Sequence, residues 1–154
     1  MNALSAALFW QFSCASYALP NIKELLLSLQ DKHNKNINLC LLLLYLEQQK
    51  IQLTPIQVKA LADLCSDIDA QTLLQHRQLR KHIKASYQRH PAYQSLRKQL
   101  LTSELALEKF QQQLLIEHLE SDTLNHNNVS NNLTFYLDEH HALALKQCFF
   151  ATKT

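Results

Sequence analysis

Between Ala70 and Ser103 the chain carries seven Lys or Arg residues and no Asp or Glu. Arg77, Arg80, Lys81 and Lys84 recur at the three- and four-residue steps that gather side chains on one face of a helix. Arg89, Arg97 and Lys98 extend this positive ground past Pro91, with Tyr87 and Tyr93 between them. Like charges held side by side repel, so such a face needs a counterpart. Nucleic-acid phosphates are one, and acids such as Glu104 and Glu108 from a partner chain are another. No helix-turn-helix pattern accompanies the cluster, so a solvated or acid-neutralised interaction surface is the expected reading and nucleic-acid binding the weaker one.

A second group is polar and uncharged but for one acid. Gln30, Asp31 and Asn38 flank the most apolar segment of the chain, with Trp10 and Tyr17 upstream. Asp31 falls near the C-terminal end of a predicted helix, where the macrodipole disfavours a negative charge. The reading that compensates it has Asp31 cross the break and accept hydrogen bonds from free N–H groups opening the next helix. The functional alternative is a polar pocket of Gln30, Asp31 and Asn38 beneath Trp10 and Tyr17, holding a small ligand.

Other chemistry finds less support. Among eight histidines there is one Asp-x-x-His pair, Asp138 and His141, on the last predicted helix. A di-metal bundle needs two such pairs and further carboxylates, so no metal site is expected. No cofactor is expected either. Nucleophile elbows, phosphate loops and zinc-protease motifs are absent, and the chain contains no glycine from which to build a phosphate cradle. Cys14, Cys40, Cys65 and Cys148 lack paired spacing and sit in apolar patterns, so reduced, buried thiols are expected, Cys14 included. These observations weigh against an enzyme: a non-enzymatic protein-interaction or regulatory module is the expected function, with nucleic-acid binding and a ligand binder or enzyme built on Gln30, Asp31 and Asn38 as the alternatives.

The elements that must position these groups are helices. Leucine supplies 32 of the 154 residues and glutamine 16, and the absence of glycine removes the usual hairpin turns. Helical spacing predicts a first helix over Ala3 to Ala18, and a second over Ile22 to Lys32 behind a capping pattern at Asn21 and Glu24. A third, Ile37 to Gln49, is apolar on all sides from Leu39 to Leu46 and should be the buried centre. Thr54, Pro55 and Gln57 form a strong start for the fourth, which should end near Cys65. Ser66, Asp67 and Asp69 offer a cap for a fifth, running to Gln88. A long helix follows from Pro91 to Glu120 with two apolar seams. One is Leu96, Leu100, Leu107, Phe110 and Leu114; the other is Leu101, Leu105, Leu115 and Leu119. Part of it should pack on a second copy of the chain as a homodimer. Residues 121–132, with five Asn, read as a polar flexible linker before a C-terminal amphipathic helix within 133–154. The expected architecture is an all-α bundle of six or seven helices, with residues 1–120 as its main domain and no extended strand pairs. The longest apolar run, eight residues, cannot span a bilayer, and the formal charge of +2 does not call for an anionic surface. A cytoplasmic protein is expected.

Pro20-Asn21-Ile22, Leu27-Ser28-Leu29-Gln30-Asp31 and Asn36-Ile37-Asn38-Leu39-Cys40-Leu41 resemble a family of small proteobacterial proteins catalogued as a domain of unknown function (family 2390). Phe9-Trp10-Gln11-Phe12-Ser13, Tyr17 and Gln78-Leu79-Arg80-Lys81 share the likeness, which covers roughly residues 8 to 110. Asn21 and Asn34 stand where the family favours glycine, and Tyr45 near where Trp is commoner. The resemblance implies a helical, bacterial, cytoplasmic protein and carries no activity with it.

Overall fold

The computed structural model describes residues 4–127 and 130–151. The expected helix start at Ala3, residues 128–129 of the expected linker, and residues 152–154 lie outside the described residues. Among the described residues are seven α-helices. They are α1 (Ala6–Tyr17), α2 (Pro20–His33), α3 (Ile37–Gln48), α4 (Pro55–Gln71), α5 (Leu73–Tyr87), α6 (Tyr93–Glu120) and α7 (Glu139–Ala151). The all-α bundle is the fold. Asn38 through Leu46 of α3 are all buried, and α1, α2, α4 and α6 pack around that helix. Phe9 stacks on Tyr45 at 5.6 Å, and Phe12 bridges Tyr45 and Phe149 at 5.1 and 5.2 Å, which ties α1 and α7 to the centre.

Several boundaries follow from local chemistry. Ser5 caps α1 by accepting from the Leu8 N–H. α2 begins at Pro20, with Pro at its first position and no side-chain cap, so Asn21 lies inside the helix and not at its cap. Asn34 ends α2 at φ 54°, the left-handed conformation that asparagine reaches more cheaply than most residues. Thr54 and Gln57 form the complete capping box at the head of α4. α4 continues past Ser66–Asp69, because Val58, Leu61, Cys65 and Ile68 keep one buried stripe, and breaks only at Thr72. That continuation holds Asp69 on α4, pointing at the site described below.

Contrary to the expectation of no extended pairing, β1 (Ile51–Gln52) pairs antiparallel with β2 (Asn125–His126). Lys50, at φ 60°, makes the reversal after α3 that glycine would ordinarily make. Asn132 is fully buried beside this ribbon. Its side-chain oxygen accepts from the Leu53 N–H at 2.8 Å, and its amide nitrogen donates to the Ile51 carbonyl at 2.8 Å. Glu47, at the end of α3, accepts from the backbone N–H groups of Asn132 and Leu133 and so caps a 3-10 turn, Leu133–Phe135. Leu133, Leu137, Ala142, Leu145 and Phe149 then join the main core. Among the described residues no helix is long and apolar enough to cross a membrane.

Candidate functional site

Six helices leave a cavity of about 840 Å³ between them, lined by residues of α1 through α6. α1 contributes Trp10, Ser13, Cys14 and Tyr17; α2 contributes Lys23, Gln30 and Asp31; Asn38 comes from α3 and Asp69 from α4. α5 adds Arg77, Arg80 and Lys81, and α6 adds Glu104, Glu108, Gln111 and Gln112. Two groups that are far apart in sequence therefore meet. The aromatic–amide group (Trp10, Tyr17, Gln30, Asp31, Asn38) and three of the seven basic residues (Arg77, Arg80, Lys81) share one hollow.

Its floor is a chain of side-chain amides. Gln111 donates Nε2 to Asp69 Oδ1 at 2.7 Å, and its Oε1 accepts from Asn38 Nδ2 at 2.8 Å and from Asn36 Nδ2 at 3.1 Å. Asn36 Nδ2 also reaches Asp69 Oδ2 at 2.8 Å. Gln112 donates Nε2 to Asn38 Oδ1 at 3.0 Å and to Ser13 Oγ at 2.9 Å. Gln111 and Gln112 are essentially inaccessible to solvent, at 0% and 1%. Among the described residues, two buried side-chain polar atoms lack a hydrogen-bond partner: Gln112 Oε1, in this floor, and His76 Nδ1 on α5. Buried polar atoms are almost always paired, so Gln112 Oε1 marks the floor as unusual.

The walls carry charge. Arg77 Nε binds Glu104 Oε1 at 3.0 Å and its Nη2 binds Glu108 Oε1 at 3.2 Å, while Arg80 Nε binds Glu104 Oε2 at 2.8 Å. Burial alone would raise the Glu104 pKa, but hydrogen bonds and charge from Arg80 and Arg77 outweigh it and hold the carboxyl below its ordinary 4.5. Glu108 goes the other way: burial pushes it up, Glu104 adds repulsion, and Arg77 only partly offsets them. Tyr17 is raised by burial and by the carboxylates of Glu108 and Asp31, against Arg77. Lys109 sits over the Trp10 ring at 5.7 Å and Lys23 over the Tyr17 ring at 5.6 Å.

Some expected roles move. The cap of α3 is Asn36, whose Oδ1 accepts from the Leu39 N–H at 2.9 Å; Asp31 makes no such bond and stands exposed at the cavity. Asp31 still belongs to α2, which runs two residues further, so it cannot reach the free N–H groups. The acids that neutralise Arg77 and Arg80 come from α6 of the same chain and need no partner. Lys84 and Arg89 are exposed on the outer side of α5 and just beyond it, while Arg97 and Lys98 line a separate hollow of about 460 Å³ on α6. Cys14 is exposed, not buried, and opens onto the cavity. Asp138 and His141 bond each other at 2.8 Å. Among the described residues, no three His, Cys, Asp or Glu side chains gather in a way that could hold a metal.

Asp69, Gln111 and Gln112 are site residues with no motif spacing of their own, and Asn36, visible in the sequence beside the apolar helix, gave no sign of its reach to Asp69 and Gln111. The available signal was on α6: Glu104, Gln111 and Gln112 occupy inward positions continuous with Leu115, Ile116 and Leu119. Polar residues on a buried stripe need partners, and here the partners are each other.

A family model described as "Protein of unknown function (DUF2390)" matches residues 8–115. That segment contains every residue lining the cavity, from Trp10 to Gln112, and ends before the ribbon strand β2 and α7. No curated protein and no solved structure matches the chain.

Proposed function

We propose, from the premise that the chain belongs to the family described as a protein of unknown function (DUF2390), that it is a non-enzymatic module binding a small polar organic molecule in the six-helix cavity. The observation that carries this reading is the convergence of Trp10, Tyr17, Asn38, Arg77, Lys81 and Gln112 on one hollow whose floor holds an unpartnered acceptor. Its 840 Å³ falls within the range of about 300–1,000 Å³ common to small-molecule sites. Five cations (Lys23, Lys35, Arg77, Arg80, Lys81) and four acids (Asp31, Asp69, Glu104, Glu108) line it, which suits a polar ligand better than a lipid. The unpaired thiols of Cys14, Cys40 and Cys65 support a reducing, cytoplasmic setting.

Trp10 is the single tryptophan and stands in the cavity wall, so its emission reports occupancy directly. Titrating the protein with a low-molecular-weight filtrate of cell extract should shift Trp10 emission and raise the melting temperature. A filtrate that changes neither would end the ligand-binding reading.

Homodimerisation through α6 is a second proposal, favoured by one seam only. Leu115 and Leu119 of the other seam are buried in their own chain, and Leu105, 53% exposed, lines the cavity. Leu96 and Phe110 are 38% and 48% exposed on a face shared with the half-buried Leu100, Leu107 and Leu114. Sedimentation velocity should show a dimer that Phe110→Asp dissociates; a monomer at all concentrations would exclude it.

A further inference from the structure

Resting on the ligand-binding reading, we infer that the cavity takes a molecule with a hydrogen-bond-donating head at the floor and an anionic tail at the mouth. The polarity of the floor is set from Asp69, whose carboxylate can only accept. Gln111 must therefore turn its amide nitrogen to Asp69, at 2.7 Å, which turns its oxygen to the nitrogens of Asn36 and Asn38. Asn38 then presents its oxygen to Gln112, whose nitrogen is used twice, on Asn38 and on Ser13. Each amide orientation is imposed by the one before it. What remains at the end of the series is an oxygen, Gln112 Oε1, on a side chain 1% exposed. A buried carbonyl left without a donor is costly, and a ligand N–H there removes that cost. A ligand carboxylate in the same place would set lone pair against lone pair.

The mouth has the opposite preference. Arg77 and Arg80 are engaged by Glu104 and Glu108, but Lys81 makes no ion pair among the described residues. Lys23 has only the Tyr17 ring beneath it. Among the described residues neither Asp31 nor Asp69 makes an ion pair, but Asp69 is taken up by the Asn36 and Gln111 amides, so Asp31 is the one lining acid left to set against Lys23 and Lys81. An anionic tail, carboxylate or phosphate, meets both lysines. Between the ends, Trp10 and Tyr17 offer ring faces that favour a flat middle.

The test uses three probes on the full chain by isothermal titration calorimetry. 4-Carbamoylbenzoate has an amide head and a carboxylate tail, benzamide has only the head, and terephthalate has a carboxylate at both ends. 4-Carbamoylbenzoate should bind about tenfold tighter than either of the others, the size of one well-made hydrogen bond or ion pair. Gln112→Met should abolish its advantage over terephthalate, and Lys81→Gln its advantage over benzamide. Lys81 is exposed, so that variant and the wild-type ranking decide the matter even if Gln112→Met does not fold. Terephthalate binding as tightly as 4-carbamoylbenzoate, or three silent probes, overturns the head-and-tail assignment. A filtrate that shifts Trp10 while the probes fail leaves the ligand-binding reading standing; failure of both removes the two together.

Discussion

Glu104 and Glu108 lie one turn apart on α6 and share Arg77, yet their proton affinities are displaced in opposite directions. Glu104, held low by two guanidinium groups, contributes stability above its ordinary 4.5, which is lost as pH falls through its depressed value. Glu108, pushed up by burial, contributes stability below 4.5, which is lost as pH rises through its elevated value. Glu108→Gln should therefore gain on wild type as pH climbs from the acidic range towards neutrality. Urea denaturation across that range reads the difference; one that stays constant with pH would contradict it. Asn36 shows what was hidden at this scale. Adjacent to Ile37, it caps α3, and the same side chain reaches both Asp69 and Gln111. The sequence pointed to Asp31 as the acceptor, and the extent of α2 overturns that, because a residue still inside one helix cannot bend round to cap the next.

At the level of elements, α3 and the head of α4 were readable, since an apolar run and a Thr-Pro-x-Gln start each carry their cause within a few residues. The α4–α5 boundary was not. Ser66, Asp67 and Asp69 have the chemistry of a helix start, but the stripe through Cys65 and Ile68 keeps burying surface beyond them, and packing outweighs capping preference. The ribbon strand β1, only two residues long, gave no periodicity to detect. Besides their core packing, the C-terminal elements are clamped by one carboxylate. Glu47 Oε1 serves the Asn132 and Leu133 N–H groups at 2.6 and 3.0 Å, and Oε2 faces Lys146 at 3.4 Å. Glu47→Ala should cost on the order of 2–3 kcal/mol by leaving buried N–H groups unpaired. Hydrogen exchange should quicken most between residues 130 and 151; uniform loosening across the bundle would argue that Glu47 is not a local clamp.

For the whole molecule, a chain without glycine still turns sharply where it must, using Asn34 and Lys50 in left-handed conformations. Seven helices and their buried centre were legible because leucine density and spacing are local properties. The cavity was legible only in halves. Trp10 and Gln112 are about a hundred residues apart, and no periodicity records that α1 and α6 lie side by side. The thiols express the same architecture. Cys40 and Cys65 are buried, and desolvation pushes the Cys40 thiol up to about 12 and raises Cys65 as well. Ellman's reagent should thus modify Cys14 in the native protein well before Cys40 and Cys65, which should react only on unfolding. Equal rates for the three would mean the core is open. Because Cys14 stands on the wall that also carries Trp10, nature has supplied an anchor and a lamp in one place. Disulfide-capped fragments could be hooked there one at a time and ranked by the light they dim, mapping what the hollow prefers without knowing its natural guest.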